Sequence, residues 1–367
     1  MKTYHLITGI LLLGLIACQE RMPVDKQATQ ETVDLYNRLF VLTAEGIMVG
    51  HQDDLAYGHD WYREADRSDV KDVTGDYPAV TGWELGHIEL GAEYNLDSIY
   101  FSDMKRYVKE IYARGGICTF SWHGDNIATG KTAWDCDQDT VVKSILPKGS
   151  SHAKYLTWLD KVADFFLDLK DDRNCELPVV FRMYHEHTGS WFWWGAKQCT
   201  PEEYKQLWIM TVEYLRDVKN VHNLLYAYSP ADVETEEQYL ERYPGDEYVD
   251  IVAFDCYAYG GNNPESLAQY QEKMRRNLQI ITDYAEQANK LPTIGETGME
   301  SIPDSLYFTH TLYPVVKDFP VSWVLFWRNA CNRPEHFYVP YLGHSAAADF
   351  KRFTEEPRVL MSGRLGN

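Results

Sequence analysis

Eight short apolar or β-branched runs recur along the chain, at 47–50, 79–83, 116–122, 179–184, 224–228, 251–257, 293–295 and 322–327. Segments of helical period separate them. Met104, Tyr107, Val108, Ile111 and Tyr112 fall on one helical face, as do Tyr204, Leu207, Trp208, Thr211, Val212 and Leu215. Several connections place a proline just before the next strand: Pro178, Pro292 and Pro320. Strand and helix alternating in this way predict βαβ units around a parallel sheet. No internal repeat, linker or low-complexity stretch divides the pattern.

Eight such units predict a single-domain α/β protein, a (β/α)₈ TIM barrel over residues 31–367. The first 30 residues read differently. Lys2 and the apolar stretch from Ile7 to Ile16 form a signal peptide over 1–17, too short to span a bilayer. Leu15-Ile16-Ala17-Cys18 resembles a bacterial lipobox, which implies cleavage before Cys18 and lipidation there. Residues 18–30 would be a polar tether. The expected location is the outer membrane of a Gram-negative bacterium, facing the periplasm, because Gln19-Glu20-Arg21-Met22 lacks the acidic run of surface-exported lipoproteins.

The barrel expectation has a positional consequence, since such folds build their sites at the C-terminal ends of the strands. Those ends read His51-Gln52-Asp53-Asp54, Trp83-Glu84, Trp122-His123-Gly124-Asp125, His185-Glu186-His187, Asp255-Cys256-Tyr257, Glu296 and Trp327-Arg328-Asn329. Polar strand ends partly reflect the chain leaving the core, but that does not explain so many Trp beside acids. Glu186 ends strand four and Glu296 ends strand seven, which face each other across an eight-strand barrel. Two carboxyls so placed suit glycosidic hydrolysis, one protonating the leaving oxygen and the other attacking or activating water. Each glutamate alone could equally cap a helix or hold a salt bridge.

Composition narrows the substrate. A net charge of −20 argues against nucleic acid and anionic membrane surfaces as partners. Aromatics make up 14% of the chain, with 11 Trp and 26 Tyr, which suits a sugar-handling surface. Among the cysteines, Cys118 and Cys256 lie in apolar runs and read as buried thiols. Cys136, Cys175, Cys199 and Cys331 lie in loop-like surroundings and could pair. None has the CxxC spacing of a structural zinc site. His185-x-His187 suggests a metallohydrolase, but that chemistry needs further ligands, and strand one offers only His51. No metal or other cofactor is expected.

The segment Arg182-Met183-Tyr184-His185-Glu186-His187-Thr188-Gly189-Ser190-Trp191-Phe192-Trp193-Trp194-Gly195 resembles the acid/base motif of glycoside hydrolase family 26. Ile294-Gly295-Glu296-Thr297-Gly298 is similar to that family's nucleophile motif, and further matching stretches lie at 50–53, 120–123, 254–257 and 327–329. The resemblance implies a retaining β-mannanase acting on mannan, galactomannan and manno-oligosaccharides, with Glu186 as acid/base and Glu296 as nucleophile. It further implies that His185 bonds the sugar or the acid/base, that Asp255 supports His185, and that Tyr257 holds the nucleophile. Trp327 would floor the cleavage site, Trp191 would meet the leaving sugar, and His123, Trp134 and Arg328 would line the non-reducing side. Relatives acting on β-1,3-xylan or mixed-linkage β-glucan are the alternative enzymes, and a non-catalytic glycan-binding lipoprotein is the alternative class.

From the residues themselves, Trp191, Phe192, Trp193 and Trp194 offer an apolar wall that would raise the pKa of an acid, though such a cluster also suits a core. About thirty residues separate His123 from the next helix, where βα loops usually run about 2–6. A second long connection, 329–342, follows strand eight. Two such loops on one side predict a cleft closed beyond the second sugar and release of mannobiose from chain ends; they would serve an open groove as well.

Overall fold

The computed structural model describes residues 21–366. Eight parallel strands close into a barrel: β1 Ile47–Gln52, β2 Val80–Glu84, β3 Ile117–Trp122, β4 Val179–Met183, β5 Leu224–Tyr228, β6 Ile251–Tyr257, β7 Leu291–Gly298 and β8 Trp323–Phe326. Each pairs with the next in sequence, and β8 returns to β1 through Met48↔Trp323 to His51↔Phe326. A short strand, Val359–Leu360, adds to the start of β1.

Alternation along each strand splits the apolar residues into two layers. Met48, Val80, Ile117, Val180, Leu225, Ile251, Leu291 and Trp323 fill the barrel, one from each strand, in one cluster with Leu35, Tyr36, Leu39 and Leu42 of the helix Gln30–Glu45. That helix therefore closes the barrel's base. Val179, Phe181 and Met183 of β4, with their counterparts on other strands, face the surrounding helices. Both helical faces read from sequence pack inward, the first on Phe101–Ala113 with Tyr112 only partly buried, the second on Pro201–Glu213 and on through Leu215 in the turn that follows. Thr200 and Glu203 form a capping box that starts the second.

The structure corrects three local expectations. Pro292 lies inside β7, opposite Val252, and the strand runs on past Glu296 instead of stopping before it. Residues 21–29, grouped with the tether by composition, pack on the base. The Val24 amide donates to Asp250 at 2.7 Å, buried Asp25 meets His222 at 2.7 Å, and Arg21 lies 4.2 Å over the Phe40 ring. Cys199, read as a loop cysteine able to pair, is buried against Arg242. All six cysteines among the described residues are unpaired. The signal peptide and Cys18 lie outside the described residues. No helix among them is long and apolar enough to cross a membrane.

Candidate active site

Glu186 is carried on a turn rather than a strand. β4 ends at Met183, and Tyr184 and Glu186 take left-handed backbone conformations at φ 48° and 53°. Such residues cost about 1–3 kcal/mol each and persist where the surroundings fix them. Here the backbone groups are pinned in turn. The Tyr204 hydroxyl donates to the Tyr184 carbonyl at 2.9 Å, the Trp194 indole to the His185 carbonyl at 2.8 Å, and the Glu186 amide to the Ser229 carbonyl at 2.7 Å. Phe192, Trp193 and Trp194 are thus core residues that build the turn, and Trp191 alone of the four is exposed, at 45%. Its indole folds back over Gly189, where a Cβ would fall 2.3 Å from the ring. From there it donates to Glu186 Oε2 at 2.6 Å.

Glu296 reaches the barrel interior through a bulge. Phe254 pairs with Ile294 but Asp255 with Glu296, so β7 carries one extra residue, Gly295. Ile294 packs outward, and plain alternation would send Glu296 outward with it; the bulge turns it in. Gly295 leaves space for this, because a Cβ there would sit 2.4 Å from Asp255 Oδ1 and 2.6 Å from Ser229 Oγ. Glu296 then accepts at both oxygens, from Arg182 at Oε1 and from the Tyr257 hydroxyl at Oε2, 2.7 Å away. A carboxylate, having no proton to place, suits two donors.

The two glutamates meet. One oxygen from each of Glu186, Glu296 and Asp255 lies within 4.8 Å of the other two. Burial, and then the charge of Glu296, push the Glu186 carboxyl up to about 7. Trp191 touches this carboxyl, and its N–H lowers the pKa. The three carboxylates form the only such grouping found among the described residues, and a cation already serves it. Arg182 donates to Glu296 and to Asp255 Oδ2, the latter at 2.8 Å.

Other expected residues are distributed unevenly. Asp255 does not support His185: it binds Arg182 and accepts from Ser229 Oγ at 2.8 Å, buried beneath the site. His185 is buried with its Nε2 4.0 Å from Glu296 and forms no hydrogen bond to Glu186. Burial and neighbouring Arg182 hold it well below the usual imidazole range, so it is neutral. His187 points elsewhere, packed between the Tyr204 and Tyr228 rings at 4.3 and 4.7 Å, so the two histidines do not form a pair of ligands.

His123 lies edge-on to His185 at 4.5 Å and stacks on the half-exposed Trp134 at 4.9 Å. Trp327 is half-buried with its ring 6.4 Å from His123. Arg328 pairs with Asp97 at 3.0 Å and donates to the Tyr57 hydroxyl at 3.2 Å. In the long connection after β3, Asn126 is buried in internal bonding and Lys131 pairs with Asp135.

Sequence reasoning passed over Arg182 and Glu84 as site residues. Glu84 accepts from His123 Nδ1 at 2.7 Å, from its amide at 2.7 Å and from Ser121 Oγ at 2.6 Å. Burial opposes the charge on His123, but Glu84 outweighs it and raises the imidazole pKa. Both residues continue inward-facing rows, Val180–Arg182 and Val80–Glu84, so charges at interior positions were the available signal. Asp97 and Tyr57 lie in connections and carried none.

A parallel barrel with two carboxyls converging above its strand ends, one uncharged up to about neutral pH and one paired with Arg and Tyr, defines a glycoside hydrolase. The comparisons narrow that class. The sequence profile of glycosyl hydrolase family 26 matches residues 24–311, and the chain belongs to this family. It is 31% identical over 363 residues to a mannan endo-1,4-beta-mannosidase of Bifidobacterium adolescentis, covering 93% of this chain but spanning only 35% of that protein. A mannan endo-1,4-beta-mannosidase of Bacillus subtilis is 32% identical over 71% of this chain and 74% of its own. Among solved structures, a family 26 beta-mannanase from Bacteroides ovatus superposes with a TM-score of 0.89 at 46% identity, covering 92% of this chain and 97% of that one. An endo-beta-1,4-mannanase from Cellulomonas fimi follows the same fold, with a TM-score of 0.83 at 34% identity over 93% and 77%.

Proposed function

We propose that this protein is a retaining β-mannanase that cleaves β-1,4-mannosidic bonds by double displacement. The observation that carries the reading is the spacing of Glu186 and Glu296, with oxygens within 4.8 Å. Retaining enzymes hold their carboxyls about 5–5.5 Å apart, whereas inverting ones leave about 6.5–9.5 Å for a water. Glu296, oriented by Arg182 and Tyr257, attacks the anomeric carbon while protonated Glu186 gives its proton to the leaving oxygen. The glycosidic C–O bond breaks and a glycosyl ester forms on Glu296. Glu186, now ionised, takes a proton from water, whose oxygen attacks the same carbon and frees Glu296. The relatives named as mannan endo-1,4-beta-mannosidases support mannan as the substrate. Initial rates on linear mannan, galactomannan, β-glucan and xylan test this. Rates highest on the mannans support it, and preference for either other polymer refutes it.

Release of mannobiose from chain ends is the finer part of the proposal. Trp134 is fixed by stacking on His123, and Arg328 by Asp97 and Tyr57, which supports a walled cleft on that flank. The loop after β8 is tied down by Asn329, which bonds Asp69 and the backbone of Tyr338 and Val339. Viscosity followed against reducing sugar tests it; steep viscosity loss with mixed oligomers refutes the closed end. Lipid anchoring at Cys18 belongs to the same proposal. With residues 21–29 docked at the base, an anchor there leaves the cleft facing away from the membrane.

A further inference from the structure

A groove of 630 Å³ opens at the base of the barrel, at the end of β7 away from Glu296. Phe40 and Ala44 of the helix Gln30–Glu45 form one wall, Ala285 and Asn289 a second, and Pro292 and Phe319 complete it. The reaction steps use none of them. We propose that this groove seats residues 18–20, which directly precede the described chain, with Cys18 lying over Ala44. The seat does not depend on the mannan-cleaving reading. Only its consequence for the membrane rests on the lipid anchoring proposed above.

Direction and reach both lead to the groove. The Thr29 side chain accepts from the Thr32 amide at the start of the helix, whereas Arg21 is held further along it. The Arg21 amide donates to Asn37 Oδ1 and its carbonyl accepts from Asn37 Nδ2, both at 2.9 Å. Followed backwards from Thr29, the chain therefore tracks the helix toward its C-terminus. Three extended residues span about 10 Å, and a helix rises about 1.5 Å per residue, so the segment matches about seven helical residues. Counted from Asn37, that length passes Phe40 and ends at Ala44. Arg21 already stands at the mouth, its guanidinium 4.2 Å over the Phe40 ring and its Nε donating to Asn289 Oδ1 at 3.5 Å. Phe40 and Phe319 are only half-buried, and apolar area left to water costs hydration until something covers it. The short Cys18 side chain and the apolar stems of Gln19 and Glu20 supply that cover, with the polar tips of both in solvent. A lipid on Cys18 then leaves the protein at the groove, and the base itself meets the bilayer with no free tether between.

Photo-cross-linking of the full chain tests the seat. The protein is expressed with its signal peptide and with p-benzoylphenylalanine at position 19, irradiated in intact cells, and its linked peptides are mapped by mass spectrometry. The expected result is an intramolecular link to a peptide carrying Phe40, Ala44, Ala285 or Phe319. Ala44→Arg should remove that link by filling the groove with a long charged side chain. Ala44 is exposed near the helix end, so this variant should fold, which calorimetry checks. Links to lipid alone, to a second copy alone, or unchanged in folded Ala44→Arg overturn the proposal. The mass of the N-terminal peptide is read in the same sample. A Cys18 without lipid overturns the anchoring instead, and the cross-link still decides the seat.

Discussion

Replacing Trp191 by Phe should move the alkaline limb of the enzyme's pH profile upward. The ring is kept, and what is lost is the indole N–H that donates to Glu186 Oε2 at 2.6 Å. That bond favours the ionised carboxylate, so without it the charged form is less stable and the acid holds its proton longer. A hydrogen bond to a charged group contributes about 1.5–3 kcal/mol when buried. Trp191 is 45% exposed, so solvent takes part of this, leaving about 1–1.5 kcal/mol or about one pKa unit. Burial and the charge of Glu296 already place Glu186 at about 7. The kcat/KM profile on mannotetraose reports the free enzyme, and its alkaline limb should fall near 7 for the wild type and about one unit higher for the variant. Any lost sugar contact lowers the whole curve without moving its inflection. An alkaline limb that stays in place, or moves down, would refute Glu186 as the acid that this indole tunes.

Glu186→Ala and Glu296→Ala should each retain the fold and lose several orders of magnitude in turnover, with different residues of activity. With an activated substrate, azide should give a β-mannosyl azide in the first and an α-mannosyl azide in the second, and the reverse pair of configurations would exchange the roles. Gly295→Ala should destabilise by about 1–3 kcal/mol in calorimetry and cut kcat, since its methyl meets Asp255 and Ser229 and disturbs the bulge that aims Glu296. Unchanged kcat would mean that Glu296 does not depend on the bulge. Glu84→Gln should lower the His123 pKa in an NMR titration, because Glu84 is what outweighs burial there; a pKa that stays raised would contradict the pair.

The barrel was legible because period-2 and period-3.6 patterns carry the two layers directly, and each of the eight apolar runs contains or overlaps one barrel strand. The two glutamates were legible as strand ends. Their aim was not, since simple alternation from Ile294 sends Glu296 outward and the Gly295 bulge that reverses it needs the neighbouring strand to be seen. The left-handed turn under Glu186 was hidden for the same reason, its three pins coming from Tyr204, Trp194 and Ser229. Asp255 was assigned to His185 on resemblance, whereas Arg182 claims it through interior parity that was present in the sequence. Asp97 reaches Arg328 from a loop, and no local pattern marks a tertiary ion pair of that kind. Residues 21–29 are polar enough to read as tether, yet three specific contacts fix them to the base.

Double displacement requires that Glu296 become covalently bound to the sugar. Incubation with a 2-deoxy-2-fluoro-β-mannosyl fluoride, whose fluorine slows both steps while the fluoride still leaves, followed by peptide mass spectrometry, tests it directly. A single glycosyl adduct is expected on the peptide carrying Glu296, absent from Glu296→Ala. An adduct on Glu186 or Asp255, or turnover of the reagent with no adduct formed, would contradict it.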